Sequence, residues 1–161
     1  LILDGGPCTV GVESTIVSLI GSQAELLRPG SITREQLTAV IGPLSRSSSV
    51  VEQPTAPGQL ARHYATQTPV TILASGTARP IPQTNERVGL LVFSQASATD
   101  ERFTAIEVLT ATGDLREAAR HLFAALRRLD AQGLDRIFVE PCQEKGLGMA
   151  IMDRLRRCAA S

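Results

Sequence analysis

Val88-Gly89-Leu90-Leu91-Val92-Phe93 is an unbroken apolar run. A strand with one wet face alternates polar and apolar residues. An uninterrupted run therefore reads as a strand buried on both faces, the pattern of parallel sheets. Residues 70–74 read the same way, and residues 105–109 more weakly. Next, Asp114 is placed to cap a helix, with Glu117 completing a capping box. Leu115, Ala119, Leu122, Leu126 and Leu129 recur at steps of four and three, one apolar stripe that Gly133 ends. Arg136-Ile137-Phe138-Val139-Glu140 supplies another strand. Residues 147–160 form a last amphipathic helix, with Ile151, Met152 and Leu155 inward and Arg154, Arg156 and Arg157 outward or at the C-terminal end. This alternation predicts a parallel or mixed α/β sheet over residues 70–161.

The front of the chain has a different texture. Thr15-Ile16-Val17-Ser18-Leu19-Ile20 is β-branched and apolar, bounded by Gly21-Ser22. Residues 24–27 are a second short run, ended by Arg28-Pro29-Gly30, and the pair predicts a hairpin across Gly21-Ser22-Gln23. Thr33 with Gln36 forms a capping box; Leu37, Val40 and Ile41 continue at helical spacing, and Gly42-Pro43 stops the helix. Leu1-Ile2-Leu3, closed by Asp4-Gly5-Gly6, reads as a buried strand end. Such a start, with no Met, predicts a fragment whose N-terminal part is missing.

Residues 46–69 have linker composition, rich in serine and proline. Yet the stretch Pro57-Gly58-Gln59-Leu60-Ala61-Arg62-His63-Tyr64-Ala65 holds one of two histidines and the only tyrosine, more chemistry than a spacer needs. The predicted organisation is one unit over 1–45, a linker over 46–69 and an α/β domain over 70–161.

Composition narrows the classes. With 161 residues and 43% apolar side chains, the chain is no disordered segment. Sixteen basic and 16 acidic side chains cancel, which argues against binding nucleic acid through bulk charge. No apolar run approaches the ~20 residues that span a bilayer, and no signal peptide is visible, so the expected compartment is the cytoplasm. Cys8, Cys142 and Cys158 are far apart with no CxxC pair, a pattern for neither a disulfide framework nor a zinc site. Lys145 is the only lysine.

Four places could carry chemistry. Residues 4–15 combine glycines with small hydroxyl residues ahead of a strand. They suit a phosphate or an amino-acid carboxylate, and also a tight loop that needs positive φ. Arg28 could clamp a phosphate or sit as a solvated edge arginine. In Arg62-His63-Tyr64, Arg and His suit phosphate contact and Tyr suits base stacking, or the Tyr pins the linker to a domain. Gly146-Leu147-Gly148 begins like a dinucleotide fingerprint, but Ile151 occupies the third glycine position and close helix packing explains it better. Nothing in the sequence places a base beside Cys8 or Cys142.

Three of these motifs resemble one family. Leu3-Asp4-Gly5-Gly6-Pro7-Cys8, Glu13-Ser14-Thr15-Ile16-Val17 and Leu27-Arg28-Pro29-Gly30 resemble the last third of the YrdC-type domain. Ala56-Pro57-Gly58-Gln59-Leu60 with His63-Tyr64-Ala65 resembles the interdomain linker of Sua5 proteins, and residues 146–155 resemble the end of the Sua5 C-terminal domain. The resemblance implies a remnant of a YrdC-like twisted α/β sheet, joined by a linker to a small Rossmann-like Sua5 domain. It implies a threonylcarbamoyl-AMP synthase, a nucleotidyltransferase that combines L-threonine, bicarbonate and ATP and releases pyrophosphate. The product feeds threonylcarbamoyl modification of adenosine 37 in tRNA by downstream tRNA-modification proteins.

The same resemblance implies that Ser14 contacts threonine and that Arg28, Tyr64 and His63 reach the nucleotide, with Mg2+ accompanying ATP. No metal ligand of the chain is implied. The family's upstream Lys-x-Arg and Ser-x-Asn motifs are absent, so these residues alone are expected to be inactive. The rival expectation is a non-catalytic module that binds nucleotide or tRNA through residues 70–161.

Overall fold

In the computed structural model, residues 1–6, 8–46, 65–95 and 99–160 are described. The first sheet has three strands, β1 (Ile16–Ser18), β2 (Glu25–Arg28) and β3 (Ser45–Arg46), in the order β1-β2-β3. β1 and β2 form the expected antiparallel hairpin, with a bulge between Ile16 and Val17. Strand β1 is half the length its composition predicts, since Leu19 and Ile20 lie exposed in the turn. β3 runs parallel to β2, so the serine-rich stretch begins as a short strand rather than as pure linker.

Between β2 and β3 lies α1 (Arg34–Ile41). Its capping box forms as read: Thr33 accepts from the Gln36 N–H, and the Gln36 side chain accepts from the Thr33 N–H. Gly42, at φ 81°, ends the helix in the left-handed region. No α1 residue is buried, and Val40 and Ile41 are exposed. Leu1, Ile2 and Leu3 are exposed as well and belong to no strand, contrary to expectation. Their β propensity has no partner edge among the described residues.

The second sheet has four strands, β4 (Val70–Ile72), β5 (Val88–Ser94), β6 (Ala105–Thr110) and β7 (Arg136–Val139). They are ordered β4-β7-β5-β6 and all pair in parallel, as the apolar runs predict. Central β5 is buried on both faces. Leu91 points to a core built with α2 (Leu115–Asp130) and α3 (Leu147–Ala159), whereas Val88, Leu90 and Val92 join Phe103 on the opposite face. Phe103 and Phe138 meet edge to face there, with centroids 6.3 Å apart. Gly89 is small because the segment after α2 approaches closely: a Cβ would sit 2.6 Å from Leu134 Cδ1, and 3.2 Å from Leu129 Cδ2 on α2 itself.

The start of α2 departs from the predicted box. Asp114 caps it by accepting from the Glu117 N–H at 2.7 Å. The Glu117 carboxylate instead accepts from Thr110 Oγ1, and that oxygen also receives the N–H groups of Thr112, Gly113 and Asp114. At the other end, Asp130 accepts from the N–H groups of Gln67 and Thr68 and so anchors the approach to β4. Burial works against the Asp130 charge, but these hydrogen bonds outweigh it and hold the carboxyl below its usual range.

Helix α3 is buried on more than the predicted stripe. Arg154, expected outward, is 1% exposed. The glycine at 148 is a close-packing device: a Cβ would lie 2.0 Å from the Gln143 carbonyl oxygen. We expect Gly148→Ala to destabilise the fold by about 3 kcal/mol, because backbone must move to admit the methyl. Urea unfolding checks this, and an unchanged midpoint would contradict it.

Candidate active site

The site is built where the β1–β2 hairpin closes. Ser14 lies two residues before β1, and Arg28 is the last residue of β2. Antiparallel register sets Arg28 opposite Ile16, so its side chain crosses to the strand that Ser14 leads into. Arg28 is 8% exposed; its Nε donates to the Ser14 carbonyl and its Nη2 to Ser14 Oγ, both at 3.1 Å. The backbone and hydroxyl of Ser14 thus both help to fix the guanidinium fork. Ser14 itself is exposed. Because Oγ accepts from Arg28, its own O–H can point elsewhere as a donor.

The flanking segments are stitched together. The Ser31 N–H donates to the Glu13 carbonyl at 3.1 Å. Thr15 Oγ1 accepts from the Ile32 N–H and donates to the Ile32 carbonyl. Gly30 makes this possible, since a Cβ would stand 2.4 Å from the Glu13 oxygen. The described residues therefore bring Ser14 and Arg28 together; His63 and Tyr64 lie outside them.

The glycine-rich opening divides in two. Gly6 donates to Asp4 Oδ1 at 2.8 Å on the surface. Gly11, at φ 76°, backs onto α2, where a Cβ would come within 2.3 Å of Arg120 Cα. Gly11 thus fits the tight-loop reading, with a neighbour that excludes any side chain. Next to it, Val12 packs against the helix-side core of the four-stranded sheet.

Two further contacts hold this region to the second sheet. Glu35 Oε1 accepts from the Gly146 N–H at 3.3 Å, at the start of α3, where no side chain of the helix itself provides a cap. Its own backbone N–H first, and that of Gly146 with it, hold the Glu35 carboxyl below its usual range against the opposing effect of desolvation. The other is Arg154, whose Nε donates to Glu13 Oε2 at 2.7 Å and whose Nη2 donates to the Pro29 carbonyl at 3.1 Å. Sequence reasoning missed this residue.

A polar cleft of about 270 Å³ lies past the carboxyl ends of β4 and β7, bordered by Ser75, Gly76, Thr77 and Glu140. Beside it, Arg79 bridges Glu140 and Asp100. The Arg102 guanidinium, with Arg79 behind it, holds the Asp100 carboxyl far below its usual range. Among the described residues no cluster of three His, Cys, Asp or Glu side chains could hold a metal, and no helix is long and apolar enough to cross a membrane.

Burial pushes the Cys142 thiol up to about 11, so it stays protonated near neutral pH. Cys8 is exposed. At pH 8 iodoacetamide is expected to label Cys8 at least about tenfold faster than Cys142. Mass spectrometry of the alkylated peptides checks this, and equal labelling would refute it.

Residues 32–160 match the family model described as threonylcarbamoyl-AMP synthase, C-terminal domain. The chain is 36% identical over 169 residues to a threonylcarbamoyl-AMP synthase of Bacillus subtilis (strain 168), covering 98% of this chain and 48% of that protein. It is 34% identical to the protein of the same name from Pyrococcus abyssi (strain GE5 / Orsay), with the same coverage. The crystal structure of P. abyssi Sua5 complexed with L-threonine superposes with a TM-score of 0.82 at 32% identity, covering 97% of this chain and 48% of that one. A P. abyssi Sua5 variant with an adjacent His–Tyr pair changed to alanines gives 0.81 at 30% identity, over 97% and 47%. The chain spans about half the length of the curated relatives it matches.

Proposed function

This chain belongs to the threonylcarbamoyl-AMP synthase C-terminal domain family, and from that premise we propose that it serves the synthesis of threonylcarbamoyl-AMP from L-threonine, bicarbonate and ATP. Pyrophosphate leaves, and the product supplies tRNA-modifying proteins in the cytoplasm. The observation that carries the reading is the Arg28–Ser14 pairing, in a chain that aligns over 98% of its length with a synthase of that name. In this reading residues 1–45 complete the catalytic unit, 46–69 link, and 70–161 form the second domain.

Ser14 offers a hydroxyl to the carboxylate or carbamate of threonine. Arg28 faces the nucleotide with its charge locked in place before substrate arrives. A preorganised cation stabilises the charge that develops on the departing pyrophosphate without reorganising at the moment of reaction. His63 and Tyr64 reach the nucleotide from the linker; an adjacent His–Tyr pair is also what was replaced in the P. abyssi variant. Mg2+ arrives with ATP as part of the substrate and neutralises its phosphates.

The complete gene product is expected to release pyrophosphate only when threonine, bicarbonate and ATP are all present. Ser14→Ala should raise the threonine KM about tenfold, the worth of one lost hydrogen bond to a charged group. The 161 residues alone, at about half the length of the relatives, should give no turnover. A complete product that consumes no threonine would sink the reading.

A second reading, a nucleotide-binding role for residues 70–161, draws on the cleft beyond β4 and β7, since open parallel sheets take ligands at their carboxyl ends. Titrating the complete gene product with ADP separates the two: Ser75→Trp should abolish binding under the second reading and leave it intact under the first.

A further inference from the structure

Arg154 is a costly residue where it stands. Its side chain is 1% exposed, on a helix whose other buried residues include Ile151, Met152, Leu155 and Cys158. Three arms are used: Nε on Glu13, Nη2 on the Pro29 carbonyl, and Nη1 on Asp153 Oδ2 at 2.5 Å. Asp153 is shared with Arg157, so the charges alternate through the cluster. If the two units only needed to adhere, an apolar side chain of the same volume would do as well or better. A guanidinium supplies something a leucine lacks, donors at fixed angles in one plane.

Two of those donors land on either side of the candidate active site. Glu13 precedes Ser14, and Pro29 follows Arg28. We propose that Arg154 is a positioning residue: from the second domain it sets the spacing of the backbone segments that carry Ser14 and Arg28, and so couples the docking of that domain to threonine and nucleotide binding. The inference rests on the roles given to Ser14 and Arg28 above. Arg154 itself touches no substrate.

Its two arms can be tested separately in the complete gene product. Glu13→Gln weakens the threonine-side arm alone. We expect the threonine KM to rise about fivefold, less than a full charge-assisted hydrogen bond, with kcat and the ATP KM within about twofold. Arg154→Lys keeps the charge but cannot span both acceptors, and should raise both KM values about tenfold. Combining Glu13→Gln with Arg154→Met should be no worse than Arg154→Met alone.

A readout without activity decides the matter even if the proposed reaction is wrong. The Ser31 N–H, bonded to the Glu13 carbonyl, should exchange with deuterium at least about tenfold faster in Arg154→Lys and Glu13→Gln, while Leu90 to Val92 stay protected. Unchanged exchange at Ser31 in both variants would overturn the proposal, as would a loss of kcat with both KM values intact. A wild type that makes no product, with faster Ser31 exchange in the variants, would refute the function and keep the clasp. Should Arg154→Met fail to fold, the lysine and glutamine variants still decide.

Discussion

A buried guanidinium governs how this chain is put together. Moving an unpaired charge out of water costs several kcal/mol, and the cost is offset only when every acceptor is in position. For Arg154 those acceptors come from residues 13, 29 and 153, so the last helix, the strand entry and the hairpin exit must converge or the charge is stranded. Around it, Gly11 allows backbone to lie against α2, and Glu35 captures the N–H of Gly146, just ahead of α3. Ser14 and Arg28 stand on the segments so held, and their mutual hydrogen bonds make the pair one unit.

The two sheets are stabilised unequally. The parallel sheet buries β5 on both faces, beneath α2 and α3 on one side and around Phe103 on the other. The first five residues of β5 are buried, and this sheet together with α2 and α3 supplies most of the buried apolar residues. Among the described residues the strands of the smaller sheet bury Leu26 and Arg28, with Leu44 inside just before β3, and its helix buries nothing. The clasp and the stitches between residues 13–15 and 31–32 give the smaller sheet much of its definition.

Local chemistry made much of this legible from residues alone. The capping box at Thr33, the hairpin across Gly21 and the stripe on α2 depend on neighbours within a turn or two. Two-sided burial of β5 is written directly as an apolar run. What escaped was settled by distant partners. An arginine reads as a surface residue, and Arg154 is buried only because acceptors 125 and 141 positions away meet it. The Glu117 carboxylate left its box for a hydroxyl on the preceding strand. Leu1 to Leu3 have strand propensity without an edge to join. Arg28 stands out as a candidate phosphate clamp and Ser14 through resemblance; that they bind each other follows from register, which no single segment encodes.

The Thr110 hydroxyl, shared by three amide hydrogens and one carboxylate, closes the turn between β6 and α2. A corner braced in so many directions behaves as a welded joint. The second turn of α2, just past this corner, is where Gly11 rests. The loop ahead of Ser14 therefore leans on the braced end of the helix, close to that joint.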